Sequence, residues 1–279
     1  MSDRAIPITK MSGSGNDFIL VDNRQRWLDP DRAAPWVRAV CRRALSVGAD
    51  GVILLEADPR GEADFAWRFF NSDGSEAEMC GNGGRCAARF AHDAGLAGET
   101  LTFRTKVGLI RGWVLGGREV RVGLTPPRDY RSAVEIETAG GRVRLAAIDT
   151  GVPHAVWRVA DLAAVPVVGW GRPARHHPAF APRGTNVDFV QILGEQDVAI
   201  RTYERGVEDE TLACGTGCAA AAVTLGLAGE VKPPVRLLTR GGETLIVDFR
   251  QVEGRIADLT LQGPVRYVFR GELHSEALL

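Results

Sequence analysis

The sequence predicts an α/β (α+β) chain built from two similar domains. Three observations carry that expectation. Short β-branched runs bounded by Gly, Asp or Pro recur along the chain with few helices between them. One motif occurs twice, separated by nearly half the chain. A charge-free, Ala-rich segment near the second copy has the length and composition of a helix buried on all sides.

Taken in order, the predicted strands of the first half are Ile6–Lys10, Asp17–Val21, Val52–Glu56, Phe65–Asn71, Thr100–Thr105, Leu109–Val114 and Val120–Leu124. A Thr125-Pro126-Pro127 break follows. The second half then gives Val143–Asp149, His154–Val159, Val187–Ile192, Val198–Tyr203, Val235–Thr239, Thr244–Phe249, Ile256–Leu261 and Val265–Phe269. Helical spacing of apolar residues predicts helices over Ala34–Leu45, Gly84–Ala94 and Gly217–Leu227. The stretch from Pro166 to Gly184, rich in Pro, Gly, Arg and His, reads as a long surface loop or short irregular helices.

The repeat is the most informative feature. Its first copy runs Phe70-Asn71-Ser72-Asp73-Gly74-Ser75-Glu76-Ala77-Glu78-Met79-Cys80-Gly81-Asn82-Gly83. The second runs Tyr203-Glu204-Arg205-Gly206-Val207-Glu208-Asp209-Glu210-Thr211-Leu212-Ala213-Cys214-Gly215-Thr216-Gly217. Each is a strand ending in an aromatic residue, an acidic turn, a Glu four residues before a Cys, and Cys-Gly-X-Gly leading into an Ala-rich helix. Two similar domains facing each other follow, residues 1–124 as an N-terminal half-site domain and 125–264 as a C-terminal one. The final strand, within 265–279, is expected to return to the first.

At 279 residues, 45% hydrophobic and 25% charged, the chain has the balance of a globular protein with room for two cores. Lys and Arg number 34 against 35 Asp and Glu, so nothing calls for nucleic acid or an anionic membrane surface. The charge-free stretch Thr211–Gly229 is punctuated by glycines, and a helix over about Gly215–Leu227 is only about 20 Å long, too short to span a bilayer. The N-terminus shows no basic start followed by an apolar run. An odd set of five cysteines without such a signal points to a reducing cytoplasm and away from a disulfide framework.

Cysteine at a glycine-rich helix start has a specific chemistry. Such a terminus carries unpaired N–H groups and the positive end of the helix dipole, which cradle a carboxylate and favour a thiolate. Each Cys-Gly-X-Gly thus offers a base and an anion cradle in four residues. Two facing copies suit inversion of a stereocentre next to a carboxylate: Cys80 or Cys214 removes the α-proton on one face and the other returns one. General acid–base catalysis contributes only about 10²–10⁴-fold, so N–H dipoles aimed at the carboxylate must lower most of the barrier. Cys41, Cys86 and Cys218 read as small buried hydrophobes. Neither the Cys80/Cys86 nor the Cys214/Cys218 spacing, without a flanking His, makes a zinc set.

At these residues the sequence resembles the diaminopimelate epimerases. The shared landmarks are Ser14-Gly15-Asn16-Asp17-Phe18, Phe70-Asn71-Ser72-Asp73-Gly74-Ser75, Cys80-Gly81-Asn82-Gly83-Gly84-Arg85-Cys86, Pro153-His154, Thr185-Asn186-Val187, Tyr203-Glu204-Arg205-Gly206, Ala213-Cys214-Gly215-Thr216-Gly217 and the late Gly263-Pro264. The resemblance implies two pseudo-symmetric domains, each a curved, mostly antiparallel sheet wrapped around a central helix. It implies interconversion of LL- and meso-diaminopimelate on a free amino-acid substrate, without pyridoxal phosphate or metal, in a cytoplasmic homodimer. Cys80 and Cys214 become the acid–base pair, and the backbone at Gly81-Asn82 and Gly215-Thr216 holds the reacting carboxylate. Asn16, Asn71, Asn186 and Arg205 would hold the substrate's polar groups, Glu204 would sit near its amine and tune one thiol, and His154 would tune the other. One departure stands out. Where many members have Gly-Asn-Pro-His, this chain has Gly151-Val152-Pro153-His154, and a valine side chain cannot hydrogen-bond a substrate. Two alternatives remain beside this one: a related racemase for another amino acid, and a thiol redox protein in which the two cysteines form a reversible disulfide.

Overall fold

A computed structural model describes residues 5–138 and 141–279. The chain divides into two compact units, Met1–Val122 with Gly263–Leu279, and Gly123–Gln262. In the first unit the order is β1 (Ile6–Gly13), β2 (Asn16–Asp22), α1 (Ala34–Val40), β3 (Gly51–Glu56), β4 (Phe65–Asn71), β5 (Glu76–Ala77), α2 (Gly81–Asp93), β6 (Thr100–Thr105), β7 (Gly108–Val114) and β8 (Glu119–Gly123). The second contains β9 (Arg128–Thr138), β10 (Gly141–Asp149), β11 (Pro153–Arg158), α3 (Val167–Arg175), β12 (Asn186–Ile192), β13 (Asp197–Glu204), β14 (Asp209–Thr211), α4 (Gly215–Leu227), β15 (Val235–Leu238) and β16 (Thr244–Val252). The last strand, β17 (Arg255–Leu273), starts in the second unit and ends in the first.

The pairings repeat. In the first unit β1 runs antiparallel to β2, β2 parallel to β3, β3 antiparallel to β4, β4 antiparallel to β5 and parallel to β6, and β6 antiparallel to β7. In the second, β10, β11, β12, β13, β14, β15 and β16 reproduce that series of senses step by step. The internal repeat in the sequence is therefore a repeat of topology, and the fold is α/β with two pseudo-symmetric halves.

Alternation along each strand feeds two layers of core. Side chains of a strand point to opposite faces in turn. Ile53 and Leu55 pack with Phe18, Leu20, Phe103 and the α2 residues Cys86, Ala87, Ala88 and Ala91. Val52 and Leu54 pack on the other face, with Trp36, Val37 and Val40 of α1. In the second unit Val190, Val198 and Ile200 meet α4, whereas Val187, Phe189 and Tyr203 meet Val167 and Ala174 of α3. Central strands buried on both faces read as nearly continuous apolar runs, as these do. Helix α4 is all but enclosed, with Cys218 through Val223 fully buried. Its alanines keep it thin enough for the sheet to close around it, and at Gly226 even a methyl group would stand 2.6 Å from the Phe249 ring.

Several elements differ from the sequence expectation, among them the additional short strands β5 and β14 and a helix α4 that starts at Gly215 instead of Gly217. Helix α1 stops at Val40 instead of Leu45. Helix α2 begins at Gly81, three residues before the expected Gly84, because Cys80 caps it. Strand β9 is an additional strand, and most of its residues before Val134 are exposed, so it shows little apolar alternation. Strand β17 is a single strand where two were expected. Its pairing with β16 reaches Gln262 and its pairing with β1 begins at Val265, so Pro264, which has no N–H to donate, falls between the two ladders. The segment from Pro166 to Gly184 forms α3 and a short 3₁₀ turn, Pro178–Phe180. No helix among the described residues is long and apolar enough to cross a membrane.

Candidate active site

Each unit builds its cysteine into the same local frame. In the first, the turn Asn71–Ser75 closes the β4–β5 hairpin, with the Ser75 carbonyl accepting from the Asn71 N–H at 2.8 Å and Asn71 Nδ2 donating to Ser75 Oγ at 3.1 Å. Glu76, four residues before Cys80, takes a two-bond clasp from the Arg68 guanidinium, Nη2 to Oε2 at 2.9 Å and Nε to Oε1. In the second unit Glu210, four residues before Cys214, takes the same clasp from Arg201, at 2.7 and 2.8 Å. The repeated glutamate is thus the anchor of the hairpin that presents the cysteine. A planar fork on a carboxylate fixes orientation as well as position. Arg68 and Arg201 were not singled out from the sequence, although each stands two residues before the aromatic residue of its repeat copy.

Both cysteines are helix N-caps in extended conformation. Cys80 is half-buried, and its Sγ accepts from the Gly83 N–H at 3.4 Å. The first helical bonds run from Gly84 N to Cys80 O at 2.7 Å and from Cys218 N to Cys214 O at 2.9 Å. The helical pattern therefore leaves the N–H groups of Gly81 and Asn82, and of Gly215 and Thr216, without an intrahelical acceptor. N–H groups placed in this way are what an anion cradle at Cys-Gly-X-Gly would use. The glycines serve close approach. A Cβ on Gly83 would lie 3.2 Å from Ile53 Cδ1, and one on Gly217 would lie 2.4 Å from Asp188 Oδ1.

The polar residues around the first cradle form a chain. Asn82 Nδ2 donates to Asn16 Oδ1 at 2.7 Å, Asn16 Nδ2 donates to Asp50 Oδ2 at 3.0 Å, and the buried Arg85 donates to Ser14 Oγ and Asn82 Oδ1 at 2.9 and 3.0 Å. Around the second cradle, Asn186 Oδ1 accepts the Arg205 backbone N–H at 2.8 Å and Asn186 Nδ2 donates to the Pro153 carbonyl at 3.1 Å. Asn16, Asn82 and Asn186 thus direct their amides to the protein, the first two to other side chains and Asn186 to backbone. Arg205 is half-buried, with Nη1 donating to the Arg183 carbonyl at 3.3 Å. Asn71 remains exposed. Val152 presents its carbonyl to the Thr150 N–H at 3.2 Å.

His154, Asp188 and Thr216 form a group that sequence reading did not assemble. His154 Nδ1 lies 2.7 Å from Asp188 Oδ2, both side chains fully buried. His154 Nε2 lies 3.0 Å from Thr216 Oγ1, which lies 3.4 Å from Cys214 Sγ. Parallel pairing of β11 with β12 sets His154 beside Asn186, two residues before Asp188. The only sign in the sequence was a carboxylate inside an otherwise apolar strand, Val187-Asp188-Phe189-Val190.

The expectation that a helix N-terminus lowers the thiol pKa is corrected at Cys214. Burial pushes this thiol well above its usual range, and the negative charges of Glu204 and Asp188 push it further. The hydrogen bond to Thr216 and the Gly217 N–H pull the other way and do not prevail. Desolvation of the charged form outweighs a helix terminus when the residue is only 6% exposed. Glu204 and His154 had been divided between the two thiols, yet within this unit both bear on Cys214, Glu204 by charge and His154 through Thr216. Cys41 and Cys86 are pushed up to about 12 by burial, in keeping with a packing role. Among the described residues no three His, Cys, Asp or Glu side chains converge as a metal set.

The family model described as "Diaminopimelate epimerase" matches residues 8–128 and 146–267. The chain is 47% identical to the diaminopimelate epimerase of Aquifex aeolicus, over 96% of this chain and 98% of that one. It is 41% identical to that of Archaeoglobus fulgidus, over 85% and 87%. Among solved structures, a probable proline racemase from Agrobacterium radiobacter K84 superposes with a TM-score of 0.73 at 18% identity, covering 96% of this chain and 92% of that one. A phenazine biosynthesis protein of Bacillus anthracis does so with a TM-score of 0.75 at 14% identity, covering 97% and 99%. The structural likenesses establish the fold, and the match along both halves of the sequence places this chain in the diaminopimelate epimerase family.

Proposed function

We propose that this protein interconverts LL- and meso-2,6-diaminopimelate without a cofactor, with Cys80 and Cys214 as its acid–base pair. The observation that carries the reading is the duplicated cap: a cysteine at the N-cap of a buried helix, followed by N–H groups with no helical acceptor, in each half of a chain belonging to this family. In the forward step the Cys80 thiolate removes the α-proton. The electron pair left on the α-carbon spreads into the adjacent carboxylate, and the N–H groups of the cradles stabilise that charge as it develops. The Cys214 thiol then gives its proton to the opposite face, leaving Cys80 as thiol and Cys214 as thiolate. Burial raises the pKa of the Cys214 thiol, in keeping with its part as proton donor in this direction. The two units act as half-sites in this reading, and the enzyme is a cytoplasmic homodimer whose ligand is a free amino acid.

Diaminopimelate carries a second amine and carboxylate remote from the reacting carbon. Arg205 is the side chain assigned to that distal carboxylate, in a planar fork that lysine cannot reproduce. Purified protein should convert LL-diaminopimelate to the meso isomer with nothing added. Arg205→Lys should raise KM about tenfold or more and lower kcat as well, because remote binding energy also positions the reacting carbon. No turnover of LL-diaminopimelate by the wild-type protein would overturn the reading, and an unchanged KM in Arg205→Lys would remove Arg205 from it.

A further inference from the structure

We propose that Asp188 is a positioning residue that orients His154 as the terminus of a buried proton relay from Cys214 through Thr216. The bonds fix the direction. The Asp188 carboxylate has no proton to give, so it accepts from His154 Nδ1–H at 2.7 Å, while its other oxygen accepts from Thr202 Oγ1 at 2.8 Å. With Nδ1 protonated, the neutral ring presents the Nε2 lone pair. Thr216 Oγ1, 3.0 Å away, and Asn186 Nδ2, at 3.4 Å, both donate to it. Thr216 Oγ1 then has lone pairs left for the Cys214 S–H at 3.4 Å. Thr150 Oγ1 donates to the Thr216 carbonyl at 2.9 Å and pins this first turn of α4.

The transfer balances without a co-reactant. The Cys214 proton passes to Thr216 Oγ1 as the Thr216 hydroxyl proton passes to His154 Nε2. Thiol and neutral imidazole become thiolate and imidazolium, and the reverse transfer restores them. The Asp188 charge stabilises the imidazolium at contact distance. A buried thiol facing the charges of Glu204 from β13 and Asp188 from β12, with the Gly217 N–H in its favour, ionises more readily when its proton has a nearby acceptor. Asp129, Arg131, Asp149 and Arg183 are the other charged residues that line, together with His154, a cavity of about 430 Å³.

The proposal deepens the reading of Cys214 as an acid–base thiol and rests on it. Its test needs no substrate, so the two fail separately. Iodoacetamide alkylation of Cys214, followed across pH by mass spectrometry of the Cys214 peptide, reports thiolate formation. If Asp188 acts only as a nearby negative charge, Asp188→Asn removes that charge, moves the alkylation profile to lower pH and speeds the reaction. If Asp188 supports the relay, the same substitution weakens the imidazolium, moves the profile up by about one unit and slows alkylation about tenfold at about pH 8. An unchanged profile or a downward shift overturns the proposal. Should Asp188→Asn not fold, as judged by near-UV circular dichroism, Thr216 decides: Thr216→Val moves the profile up and Thr216→Ser, which keeps the hydroxyl, does not. Equal profiles for Thr216→Val and the wild type also overturn it.

Discussion

Replacing either Cys80 or Cys214 by alanine abolishes epimerisation while the fold survives. Each substitution deletes the proton carrier of one face, and a two-base inversion has no route around a missing one. A positioned acid or base is worth about 10²–10⁴-fold, so kcat falls by at least about 10²-fold in either variant. Alanine suits both positions structurally. Cys80 is half-buried at a cap, and Cys214 follows Ala213 into a helix already lined with alanine. Cys86→Ala is the matched control. That thiol is fully buried in the apolar core and held up to about 12, so its loss affects packing and leaves turnover close to normal. Near-normal turnover in Cys80→Ala or Cys214→Ala contradicts the two-thiol mechanism.

Gly217→Ala should have a large structural effect. The new methyl would stand 2.4 Å from Asp188 Oδ1 and 3.1 Å from its Cγ. Asp188 cannot swing aside, because it is fully buried and its oxygens are held by His154 and Thr202. Overpacking a core costs about 1–3 kcal/mol, and a hydrogen bond to a buried charged group is worth about 1.5–3 kcal/mol. A loss of about 3 kcal/mol or more in unfolding free energy follows, measured by denaturant titration. At Gly194 the nearest atom to an added Cβ is 3.6 Å away and the backbone is not left-handed, so Gly194→Ala should stay within about 0.5 kcal/mol. Equal stability of the two variants contradicts the placement of Asp188 against the start of α4.

The legible parts of this chain were those carried by short-range pattern. The two Cys-Gly-X-Gly helix starts, the repeated hairpins before them and the enclosed α4 all follow from local chemistry and periodicity. Strand β9 was not legible, because exposed residues such as Arg128, Asp129 and Tyr130 give no alternation to read. The continuity of β17 was hidden by Gly263-Pro264, which looks like a break until the change of pairing partner is known. Asp188 answers a histidine 34 positions earlier, and nothing local to Val187-Asp188-Phe189 announces that partnership. Glu76 and Glu210 were noticed for their spacing from the cysteines, but their bond to Arg68 and Arg201 depends on hairpin register. The thiol pKa is the instructive case. A helix N-terminus is visible in sequence and burial is not, and at Cys214 burial decides the sign.

The measurement closest to the central claim is isotope exchange in D₂O. An epimerase that removes and returns the α-proton incorporates solvent deuterium at the α-carbon of its substrate, whereas a thiol redox protein does not. LL-diaminopimelate, lysine, glutamate and histidine should be compared under reducing conditions with no cofactor added. Rapid α-deuteration of diaminopimelate is expected. The analogues lacking its distal groups should lag on the order of 10⁴-fold, because they leave polar groups of the site unpaired. Faster exchange into glutamate or histidine than into diaminopimelate would show that the substrate is wrong while leaving the two-cysteine chemistry intact. Absence of exchange into any of the four would contradict the account at its base.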